Sequence, residues 1–169
     1  MTTTERQVPP LLADERTMLE SWLDFHRLTL AAKCEGLDDA QLRETSAPPS
    51  ELSLLGLVRH MTDVERHWFR RVLDGQDAKP LYWSDADQDG DFHLTEADTV
   101  EAGFAAWQAE IAAARTVADG RSLNDVGHGR WRDQECSLRW IYVHMIEEYA
   151  RHNGHADLLR ERIDGSTGA

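Results

Sequence analysis

Apolar residues recur at steps of three and four along four stretches of the chain, and each stretch predicts an amphipathic helix. The first runs from about Ala13 to Lys33, with Leu19, Trp22, Leu23 and Leu30 on one face, and stops near Gly36. The second starts near Ser53, a suitable N-cap, and continues through Leu57, His60, Met61, Val64 and Trp68 to Asp74-Gly75. A capping-box-like Thr95-Glu-Ala-Asp98 predicts the start of the third, which passes through Phe104, Trp107 and Ile111 to about Ala118. The fourth starts at Ser137 and ends near Ile163, before Gly165.

The intervals are polar. One ends in Ala47-Pro-Pro-Ser50, and Gly120 to Glu135 reads as a long loop with room for a short hairpin. There is no internal repeat, no low-complexity tract and no second-domain linker. An all-α four-helix bundle with longer connections, one domain over residues 1–169, is the expected architecture. Trp22, Trp68, Trp107 and Trp140 fall within the helical repeats and are expected in the core; Trp83 and Trp131 lie in connections and suit a pocket rim.

Composition narrows the function classes. With 41% hydrophobic residues in 169, the chain can bury a sizeable core. No apolar run approaches a membrane span, and the opening Met1-Thr-Thr-Thr-Glu-Arg6 lacks the basic-then-apolar order of a signal peptide. Cys34 and Cys136 are too few for a disulfide framework, so a reduced, cytoplasmic protein is expected. A net charge of −13 argues against nucleic acid, which needs a basic patch. Small molecules are the expected partners.

The fourth helix carries the strongest chemical pattern. His144, Glu148, His152 and His155 follow one another at four, four and three, which stacks them along one helical stripe. Glu148 and His152 lie about 6 Å apart along the axis, within reach of one ion. Imidazoles with one carboxylate suit zinc, iron, nickel or manganese, and three protein ligands leave positions open. A further ligand must come from another helix, and His60 on the second is the candidate; His67, about 10 Å farther along that helix, is left out. Spacing alone also permits a salt-bridged surface strip of Glu148, Arg151 and His152.

A second pattern competes for attention. Asp85, Asp87, Asp89, Gly90, Asp91 and Glu96 occupy the positions of a calcium-binding EF-hand loop. Pro80 and Leu81-Tyr-Trp-Ser84 make a poor incoming helix, however, and no second hand follows. An ordinary connecting loop is expected there. Arg130 and Arg132, flanking Trp131, are candidates to face an anionic substrate, and Cys136 is expected to be structural.

Two segments, Ser53-Leu-Leu-Gly-Leu-Val-Arg-His60 with Val64-Glu65 and Leu138 through Glu161, resemble those of the DinB-like (damage-inducible) superfamily. That superfamily includes thiol transferases and mycothiol-dependent isomerases, and the chain most resembles its actinobacterial branch of mini-circle proteins. The resemblance implies a bundle in up-down-down-up arrangement, frequent homodimers, and a divalent cation, zinc first, held by His60, Glu148 and His152. Many members carry His where this chain has Glu148, while the mycothiol-dependent isomerases carry Glu; His155 replaces a family Gln.

The implied chemistry is activation of a low-molecular-weight thiol such as mycothiol for transfer to an electrophile or for isomerisation. His144 and His155 are the candidates to orient ligands or relay a proton. The same open cation would also serve a metal-dependent hydrolase, or a bundle that binds metal or a small ligand without catalysis.

Overall fold

Asp14 accepts the backbone amide of Thr17 and so starts α1, Glu15–Cys34, in the computed structural model, which describes residues 6–168. The first five residues and Ala169 lie outside the described residues, and most of the stretch read for a signal peptide lies there. A short helix, α2 (Asp39–Arg43), follows where a polar connection was expected. Its signal is the Asp38–Gln41 spacing, a reciprocal capping box in which each side chain accepts the other's amide.

The second long helix, α3 (Leu54–Glu65), continues as a π-helix over Arg66–Leu73. Asp74 donates its amide to Phe69 and Gln76 to Arg70, and Gly75 between them takes φ +70°, a left-handed stop that disfavours a Cβ. Thr99, not the expected Thr95-to-Asp98 box, caps α4 (Val100–Ala118) by accepting the Ala102 amide. Asp98 instead accepts the amide and hydroxyl of Thr95 in a turn just ahead of the helix. Ser137 accepts the Trp140 amide at the start of α5, Leu138–Asp164.

All regular structure among the described residues is helical, so the chain is all-α as expected. Isolated bridges Val126↔Ser137 and Trp131↔Gln134 form the short hairpin, with Arg132 and Asp133 left-handed at its tip. Among the described residues, no helix is long and apolar enough to cross a membrane.

The chain gathers into two compact units, one formed by residues up to Leu54 with those from Tyr142 onward, the other by Leu55–Ile141. In the first, α1 and α5 are tied at successive levels. Tyr142 donates to Glu20 (2.9 Å), Asn153 to the His26 carbonyl (3.0 Å), and Arg160 to the carbonyls of Lys33 and Glu35. Residue numbers rise together along both helices, so they run in the same direction. Lys33 also donates to Gly168, so the tail is tied down as far as that residue.

In the second unit the π-helix packs on α4. Buried Glu110 accepts from Arg66 (2.6 Å) and Arg70 (3.1 Å), so the carboxylate is compensated by two guanidiniums. Trp68 and Trp107 are buried as expected, but Trp22 and Trp140 are about 40% exposed. Trp22 lies against Phe25 and His26 of its own helix, and Trp140 lies against Trp68 and Trp131 with its other side open.

Candidate metal centre

The four-residue steps of α5 place His144, Glu148 and His152 on adjacent rungs. Glu148 offers one oxygen to each: Oε1 lies 3.3 Å from His144 Nε2, and Oε2 lies 3.5 Å from His152 Nε2. The strip that spacing also allowed does not form in that way, because Arg151 is drawn to Glu147. Glu147 also lies 3.5 Å from His144 Nδ1.

His155, three residues beyond His152, brings its Nδ1 to 3.4 Å from His152 Nδ1. Two imidazole nitrogens at that distance share a hydrogen bond only if one carries the proton and the other does not. The imidazolium of His155 is disfavoured, first by burial and then by the charges of His152 and Arg151, which lowers its pKa below the usual histidine value.

His60 sits in the last half of α3, where it is partly buried. Its Nδ1 lies 2.6 Å from Asp91 Oδ2 and its ring stacks on Phe92. Sequence reasoning passed over Asp91 as a ligand partner, since a loop has no period that would tie it to a helix residue. Its only visible role was as part of the calcium-loop pattern. That pattern is divided in the structure: Asp87 turns to His93 at 2.9 Å while Asp91 turns to His60.

His60, Glu148 and His152 are each partly buried, and each can offer one ligand atom to a metal ion. A second group, His144, Glu147 and Glu148, shares Glu148 with the first. Two imidazoles and a carboxylate, none of them fully exposed, form a donor set that fits a borderline divalent cation.

The remaining candidates are occupied otherwise. Arg130 donates to the Asp133 carbonyl, and Arg132 lies over Trp131 at 4.4 Å, so both are engaged within the hairpin. His67 lies edge-on to Trp68. Cys136 is buried ahead of α5, and burial raises its thiol pKa.

The model of the mycothiol-S-transferase family matches residues 18–165. A crystal structure of a conserved protein from Enterococcus faecalis aligns with a TM-score of 0.63, covering 92% of this chain and 100% of that one at 14% identity. At that identity the likeness concerns the fold alone. No curated protein matches the chain.

Proposed function

The chain belongs to the mycothiol-S-transferase family, and from that membership we propose that it joins a small thiol of the mycothiol type to a small electrophile, or isomerises a substrate through such an adduct. The DinB-like resemblance of the sequence agrees with the family and the all-α fold. The observation that carries the reading is the α5 stripe on which Glu148 faces His152, a carboxylate–imidazole pair that His60 of α3 would complete as a third ligand. These three residues would hold a divalent cation, zinc first by the chemistry of the donors.

A cation held there supplies Lewis acidity, which lowers the pKa of a thiol and makes thiolate available near neutral pH. In transfer, the sulfur forms a bond to the electrophilic carbon, the thiol loses its proton, and the leaving group departs with the bonding pair. His144, whose Nε2 lies 3.3 Å from the other oxygen of Glu148, would take up that proton. His155 would orient His152 through their facing Nδ1 atoms. The nucleophile comes from outside the chain, because both of its own thiols are buried and hard to ionise.

The test is metal analysis of protein purified without chelator, followed by conjugation of an electrophile with and without added thiol. Stoichiometric divalent metal with thiol-dependent, chelator-sensitive turnover is expected. Turnover without thiol would replace this reading with a hydrolase, and saturable binding without turnover would replace it with a non-catalytic binder.

A further inference from the structure

Two consecutive residues of one loop fix the orientation of the His60 ring. Asp91 meets its edge, Oδ2 to Nδ1 at 2.6 Å, and Phe92 covers its face, with centroids 5.2 Å apart and planes 24° from parallel. Asp91 is only 4% exposed, and its other oxygen is buried with no hydrogen-bond partner. A buried carboxylate with a vacant oxygen is costly, so this placement needs a reason beyond tying down a loop.

The loop is held to α3 by other means. Arg59 donates to the Gly90 carbonyl at 3.1 Å and lies over the Tyr82 ring at 4.5 Å. Asp63 accepts the amides of Leu81 and Tyr82 at 2.7 and 2.9 Å. Gly90 makes the path possible, since a Cβ there would stand 2.5 Å from the Tyr82 carbonyl oxygen. With these anchors in place, the Asp91 carboxylate is available for work on His60.

A neutral imidazole carries one N–H, and a carboxylate at Nδ1 holds it there. The lone pair of Nε2 is then the one left for a cation. We infer that Asp91 is a positioning residue that fixes the His60 tautomer for cation binding. The inference rests on the proposed site of His60, Glu148 and His152, and adds to it a loop residue that touches neither substrate nor cation.

Zinc affinity, measured by competition with a chromogenic chelator, tests the inference on wild-type protein and on Asp91→Ala, Asp91→Asn and His60→Ala. Urea unfolding of each apo-variant confirms that it is folded. Asp91→Ala should bind zinc about ten- to a hundredfold more weakly. Asp91→Asn, which keeps an acceptor but loses the charge, should lie between it and wild type. Long-range proton–nitrogen NMR of the zinc-loaded wild-type protein should show His60 protonated at Nδ1, a readout that does not depend on a variant folding. Wild-type affinity in folded Asp91→Ala while His60→Ala is impaired, or His60 protonated at Nε2, would overturn this inference and leave the site standing. A wild-type protein that takes up no divalent ion would overturn both.

Discussion

Glu148 turns Oε2 toward Nε2 of His152 at 3.5 Å, while Arg151, the cation between them in sequence, pairs with Glu147. Had Arg151 neutralised Glu148, the carboxylate would be a poor ligand. The division of partners leaves each Glu148 oxygen facing an imidazole, Oε1 that of His144 and Oε2 that of His152.

Two overlapping groups can therefore be separated by substitution. A cation at His60, Glu148 and His152 predicts that His60→Ala or His152→Ala empties the protein of metal while Glu147→Gln does not. Loss of a ligand should exceed the roughly tenfold to hundredfold expected of an outer partner. Metal content by elemental analysis checks it. Retention in His60→Ala with loss in Glu147→Gln would instead place the ion in the group of His144, Glu147 and Glu148.

Both cysteines should be silent in the native protein. Burial pushes the Cys34 thiol up to about 12, against a smaller opposing effect of Arg160, and burial also raises Cys136. A thiol-specific disulfide reagent near pH 8 should label neither residue until denaturant is added. Because the folded Cys34 pKa exceeds the usual thiol value of 9.0, the protonated form favours folding. That stability is fully present below pH 9 and is lost as pH rises toward 12, so the wild-type protein should weaken over this window more than Cys34→Ala. Alkaline urea titrations of the pair check it.

The helices were legible because their repeats record which face is buried: Leu23 and Leu30 on α1, and Leu57 and Met61 on α3, are all almost fully buried. The tryptophans show where that reasoning stops. Trp22 fits the repeat but lies against its own helix, and periodicity does not distinguish the centre of an apolar face from its edge. The π-helical stretch Arg66–Leu73 has the same apolar spacing as an α-helix and leaves no local signal. Residues on α5 could be grouped in advance since four-residue steps fix their mutual geometry. Asp91 could not, for its place beside His60 depends on the loop path set by Arg59, Asp63 and Gly90.

The C-terminal end of α5 offers an acid-side test. Arg160 donates to both oxygens of Asp164, and the Ser166 amide donates to Oδ1, which together hold the Asp164 carboxyl at about 2, against a usual 3.8. A lowered folded pKa means the ionised form favours folding. The contribution is present above pH 3.8 and is lost as pH falls toward 2. Arg160→Gln should move Asp164 back toward the usual carboxylate range in a carbon-detected NMR titration and should flatten the acid limb. An unmoved Asp164 would show that the guanidinium is not the main cause.

The most local prediction concerns the glycines of the loop before α5. Carbonyls at the end of a helix need donors from elsewhere, and here the loop supplies them: His128 donates its amide to Leu73 at 3.1 Å and Gly129 to Val72 at 2.8 Å. The approach is so close that a Cβ on Gly129 would stand 2.3 Å from the Arg71 carbonyl oxygen, a backbone atom that no rotamer change can move. Gly129→Ala must push the loop away and loosen both hydrogen bonds, at a cost of about 2 kcal/mol or more. Gly120 makes the opposite case. It has open space around it but takes φ +69°, so Gly120→Ala should cost about 1 kcal/mol through the backbone alone. Urea unfolding of the two variants should therefore rank Gly129→Ala as the more damaging, with fluorescence of the Trp68, Trp131 and Trp140 cluster altered only in that variant. Equal stability losses with unchanged fluorescence would mean that the loop is not seated on the π-helix as described.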